Sequence, residues 1–98
     1  MVPREFKTDL KAIDWGDFQT AYGSARSVPR KLRKLLSRRR RTAMAAAHDL
    51  WCALCHQHAY VSSAALPALP FLTYALERAE PELAAEILDI LLGFAVCT

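Results

Sequence analysis

Cys52-Ala53-Leu54-Cys55-His56 is the densest run of chemically active side chains in this chain of 98 residues. Taken literally it is C-x-x-C-H, in which two thiols bond the vinyl groups of a c-type haem and the histidine ligates its iron. Covalent haem attachment belongs to exported proteins. The stretch from Met1 to Phe18 mixes both charge signs and lacks the apolar run of an export signal, so a cytoplasmic protein is expected. Zinc is the better metal case, because His48, Cys52 and Cys55 or His56 recur at i, i+4 and i+7 or i+8 on one helix face, with His58 nearby. A structural zinc site draws ligands from two segments, however, and only Cys97 is available elsewhere. Thiols in an alanine-rich interface need no metal, and the odd count of three cysteines suits a reducing compartment. A nucleophilic pair of Cys55 with His58 lacks an orienting acid and an oxyanion hole. Ser62-Ser63 reads as a helix cap. No metal, no cofactor and no enzyme activity are expected.

The second chemical signal is charge. Of thirteen Lys and Arg, nine fall between Arg26 and Arg41, where there is no acid: Arg26, Arg30, Lys31, Arg33, Lys34, Arg38, Arg39, Arg40 and Arg41. The other four face all ten acidic residues, so the rest of the chain is acidic although the net charge is +3. Such asymmetry marks an anionic partner. An acidic protein fits it; nucleic acid is the alternative, with Lys and Arg tracking phosphates. No aromatic residue interleaves the cations, so base stacking has no support. The bland reading is a solvated helix face followed by a solvated turn.

The elements that must position these residues follow from periodicity. With 53% hydrophobic and 23% charged residues the chain makes one small folded domain. Its longest uncharged run, Leu50 to Leu76, is broken by His56, Gln57, His58, Pro67 and Pro70, and no membrane span is expected. Asp14 can cap a short helix carrying Trp15, Phe18 and Tyr22, stopped by Gly23, that serves as a lid. Ser27 and Pro29 open a second helix with Val28, Leu32, Leu35 and Leu36 inward, ending near Ser37. Arg38 to Arg41, a self-repelling run, suits a turn. From Thr42, Ala43, Ala47, Leu50 and Leu54 form a stripe with Trp51 beside it, and the pattern lapses from His56 to Ser63. Leu66 to Arg78 makes the next helix, with Leu69, Leu72 and Leu76 inward and a kink at Pro70. Pro81 opens the last, whose apolar side is Leu83, Ile87, Ile90, Leu91 and Phe94. Leu88 and Leu92 point elsewhere. They are read as facing a partner, a second copy or another protein, with a two-fold homodimer the simplest closed arrangement. No run alternates with period two, so strands are not expected.

Ile13-Asp14-Trp15, Ala21-Tyr22-Gly23-Ser24-Ala25, Val28-Pro29, Leu32, Leu35-Leu36-Ser37, His56-Gln57, Tyr60, Pro70-Phe71-Leu72 and Ala95-Val96 together resemble bacterial HEAT-repeat proteins. The resemblance covers the chain from Ile13 onward. It implies helix pairs stacked into a curved solenoid that serves as a binding scaffold without catalysis; some members sit beside toxins as immunity partners. Relatives are usually longer. Where they have a Pro- and acid-containing turn, this chain has Arg38 to Arg41, and Ala43 replaces a helical arginine. The fold class expected is all-α, with stacked antiparallel helix hairpins in a HEAT-like α-solenoid fragment: residues 1–25 an N-terminal segment with the lid, 26–61 a first helix pair, 62–98 a second. The expected function is that of a non-catalytic protein-binding module.

Overall fold

Phe6 and Leu10 lie one helical turn apart, and burying both is what makes Phe6–Ala12 a helix, α1, with Lys7 and Lys11 left outside. Phe6 meets Phe71 edge to face, with centroids 5.3 Å apart and planes at 88°, and Trp15 donates its indole N–H to the Leu10 carbonyl at 2.9 Å. The N-terminal segment is thereby fastened over the core through aromatic contacts. The computed structural model describes residues 6–55 and 61–96.

The lid differs from its expected form. Asp14 makes no side-chain cap, and Trp15–Asp17 is only a 3-10 turn. The chain then forms an antiparallel hairpin, β1 (Gln19–Thr20) and β2 (Gly23–Ser24), with Gln19 opposite Ser24 and Thr20 opposite Gly23. Gly23 has φ +117°, a conformation other residues rarely adopt, so the glycine turns a hairpin instead of stopping a helix. The Thr20 hydroxyl donates to the Gly23 carbonyl at 3.2 Å and accepts from the Tyr22 N–H at 3.1 Å. Trp15 is buried and Phe18 half-buried, but Tyr22, at the hairpin tip, is 71% exposed.

Four helices follow or continue this frame. α2 (Val28–Lys34) has Pro29 in its first turn and buries Val28 and Leu32. Its end tightens into i→i−3 bonds, Leu36 to Arg33 and Ser37 to Lys34 at 3.0 Å each, so Leu35 is buried in a turn and Leu36 stays exposed. α3 (Arg40–Cys55) begins two residues earlier than the composition switch at Thr42 suggests. Arg40 and Arg41 are therefore helical, and only Arg38 and Arg39 remain in the turn, where the Ser37 hydroxyl accepts the Arg39 N–H at 3.1 Å. The like-charged run is tolerated at the helix start because Arg40 pairs with Glu82 from the last helix.

α4 (Ala65–Arg78) contains Pro70 and buries Ala65, Ala68, Phe71, Leu72 and Ala75. Leu72 is inward as expected and Leu76 half so, but Leu69 is 40% exposed, since the small residues take the inner stripe. α5 (Pro81–Val96) buries Ile87 and Ile90. α3 packs against both α2 and α5, α4 packs against α5, and α2 touches α1 and α4. Helix accounts for 76% of the structure and strand for one two-residue pairing, so the class is all-α with a small hairpin added. Among the described residues no helix is long and apolar enough to cross a membrane.

Ser62 caps, but it caps the preceding helix: its hydroxyl donates to the Ala53 and Leu54 carbonyls at 3.1 and 3.2 Å, and its N–H to Leu54 at 2.9 Å. Ser63 accepts the Gln19 N–H at 2.8 Å, and the Ala21 N–H reaches the Ala53 carbonyl at 2.9 Å. Hairpin, α3 end and α4 start are thus one hydrogen-bonded knot, which satisfies carbonyls that a helix end leaves open.

Candidate functional site

The basic stretch supplies the candidate surface, and folding divides it. Lys31 pairs with Asp49 of α3 at 2.9 Å, and Arg40 with Glu82. The other seven, Arg26, Arg30, Arg33, Lys34, Arg38, Arg39 and Arg41, are exposed, and none of them forms an ion pair with another described residue. Arg26 sits in the 3-10 turn Ala25–Ser27 and lies over Gly16, where a Cβ would stand 3.3 Å from its Nε and 3.4 Å from an Asp14 carboxylate oxygen.

Three neighbourhoods result. Arg33 lines a hollow of about 200 Å³ with Lys7 and Lys11 of α1, over Leu10, Ile13, Trp15 and Pro29. Lys34 and Arg41 border an open hollow that contains Asp49. Arg38 and Arg40 line a cleft of about 310 Å³ with Arg78 of α4. The basic residues thus line three different hollows around the α2–α3 unit. The cause is the α3 start: making Arg40 and Arg41 helical turns successive cations to different sides.

Lys7, Lys11 and Arg78 join these patches without having been singled out in the sequence. Each lies among acids along the chain, so local charge counting hides it. Only the i, i+4 spacing of Lys7 and Lys11 signals a shared face.

The metal and nucleophile candidates are also divided. The His48 Nε2 and Cys52 Sγ are 3.8 Å apart, at the edge of an open cleft of about 460 Å³ lined also by Thr20, Tyr22, Lys31 and Asp49. Cys55 is fully buried, and its thiol donates to the Trp51 carbonyl at 3.3 Å. One turn of helix thus separates an accessible thiol from one sealed in the core. Among the described residues no three His, Cys, Asp or Glu converge on a metal-sized site. His56 and His58, which the haem, zinc and nucleophile readings require, and Cys97 lie outside the described residues.

Leu88 and Leu92 are 53% and 55% exposed, while Ile87 and Ile90 beside them are fully buried, as the two-sided apolar pattern of α5 predicts. Leu66 of α4 is 77% exposed. No protein-family model, curated protein or solved structure matches the chain significantly.

Proposed function

We propose that the chain is a non-catalytic protein-binding module of HEAT-repeat type, adaptor- or immunity-like, that engages an acidic protein partner in the cytoplasm through the cations of α2, the α2–α3 turn and the start of α3. The observation that carries this reading is the set of seven exposed cations that have no acidic neighbour in ion-pair range among the described residues. Exposed like charges repel one another and bring nothing to stability, so a surface that keeps them invites an opposite charge. The packing supports the repeat reading: α2 with α3 and α4 with α5 form successive pairs, and α3 meets α5 while α2 meets α4, the contacts that stacked helix pairs make. Leu88 and Leu92 offer a second contact, read as a homodimer face.

Reversing Arg38, Arg39, Arg40 and Arg41 to Glu tests the reading. Retention on an acidic polypeptide matrix should fall by about tenfold or more while the far-ultraviolet circular dichroism stays helical. Unchanged retention makes the arginines a solvated surface. Retention on DNA that exceeds retention on the polypeptide and falls steeply with salt transfers the surface to nucleic acid.

A further inference from the structure

Of two hollows in which exposed cations stand over an apolar floor, one of about 200 Å³ beside Arg33 and a cleft of about 310 Å³ at one end of the helices, the cleft is the larger. Leu35 from the α2–α3 turn, Ala43 from α3 and Ala75 from α4 are buried beneath it, and Leu83 from α5 closes one side half-buried. Cations rise around this floor. Arg38 is exposed and has no acid within ion-pair range among the described residues. Arg78 is held in place: its guanidinium carbon lies 3.6 Å from the Tyr74 ring centroid, its Nη1 donates to the Tyr74 carbonyl at 3.1 Å, and Glu77 is 3.7 Å away. A guanidinium carries five N–H donors, so most of those on Arg78 remain free for an incoming carboxylate, and its orientation is already fixed. Arg40, tied to Glu82, completes the rim.

Resting on the protein-binding reading above, we propose that this cleft receives a segment of the partner in which one bulky apolar side chain is flanked by carboxylates. The apolar side chain fills the floor, where it gives up water at no polar cost, and the flanking carboxylates meet Arg38 and Arg78. A free inorganic anion could meet the same guanidiniums but would leave the floor of Leu35, Ala43, Ala75 and Leu83 unfilled, so it uses only half of what the lining offers. A uniform polyanion fits poorly too. Glu80 is the one acid among the lining residues and repels charge that continues across the cleft. An anchor residue in a small pocket with a charged rim is how protein interfaces concentrate their affinity. A peptide rather than a small molecule is favoured because Arg39, exposed in the same turn as Arg38, adds positive charge outside the cleft.

The test uses fluorescence anisotropy with three labelled peptides: aspartates and glutamates around one central leucine, the same peptide with serine in place of leucine, and the leucine peptide with its acids changed to amides. A single-stranded oligonucleotide is the fourth probe. The leucine peptide should bind about tenfold tighter than the serine peptide, the gain expected for burying one leucine, and the amide peptide should not bind measurably. Ala79→Trp, which fills the cleft, and Leu36→Glu, which places an acid at its exposed edge, should each erase the preference for leucine. Because Leu36 is a surface residue, its variant keeps the test valid even where Ala79→Trp fails to fold. Arg33→Glu with Lys34→Glu, outside the cleft, should weaken the leucine and serine peptides alike. Equal binding of these two peptides, weakened by the Arg33 and Lys34 reversal, overturns the cleft and leaves the acidic-partner reading standing. Binding of neither overturns both, as does an oligonucleotide that binds more tightly than every peptide.

Discussion

In the first helix pair the longer helix is an inside element; in the second it is an outside one. α3 lies between α2 and α5 and buries Ala46, Ala47, Leu50, Ala53 and Leu54, whereas α5 buries Ile87 and Ile90 and leaves Leu88 and Leu92 in solvent. Both helices have 16 residues. Each packs against two helices, α3 against α2 and α5 and α5 against α3 and α4; what differs is that α3 presents small alanines at its buried positions, which lets neighbours approach closely, while α5 keeps bulky leucines on a side that neither neighbour covers. Charge divides the same way. The first pair carries the unpaired cations, and the second lends single acids to it, as Glu82 does to Arg40.

The two helices should differ most at their leucines. Leu50→Ala should cost about 2–5 kcal/mol, a large share of a small domain's stability, because Leu50 is fully buried in α3. Leu88→Ala should stay within about 0.5 kcal/mol in urea unfolding of the monomer. Should the two prove alike, α5 is covered in solution. Light scattering then has to show a dimer that Leu88→Glu dissolves. Added bulk should have a smaller effect. Ala47→Leu should destabilise by about 1–3 kcal/mol by forcing α3 from its neighbours, while Ala85→Leu on the exposed side of α5 should be close to neutral in the same measurement. Smallest is the Lys31–Asp49 pair between α2 and α3. With side chains 25% and 51% exposed, it should lose about 0.2–1 kcal/mol on Asp49→Asn, an amount that shrinks further as salt is added.

Periodicity reported the long helices well because each buries a stripe against a neighbour, and Pro81 and Pro29 mark starts by chemistry alone. The exposure of Leu88 and Leu92 was legible for the same reason, since two apolar sides on one helix cannot both face a single neighbour. The N-terminal lid was misread as helix because Trp15, Phe18 and Tyr22 keep a helical spacing. What decides the hairpin is the +117° φ at Gly23 and bonds to Ala53 and Ser63, partners far along the chain. Leu69 looked inward by hydrophobicity, yet alanines hold the inner stripe of α4 and allow the close approach that a leucine would prevent. The cleft was invisible in the sequence, because Arg78 and Leu35 come together only when two turns are brought side by side.

The hydrogen-bonded knot around the hairpin joins segments that are far apart along the chain. Gln19 and Ala21 emerge from the ribosome early, but their partners are Ser63, 44 residues later, and Ala53. A hairpin with two-residue strands does not hold by itself. Nor does α1, of seven residues, have its aromatic partners until Phe71 and Tyr74 are present, although α2 also touches it. Residues 6–25 therefore complete their long-range contacts only where α3 and α4 are both present.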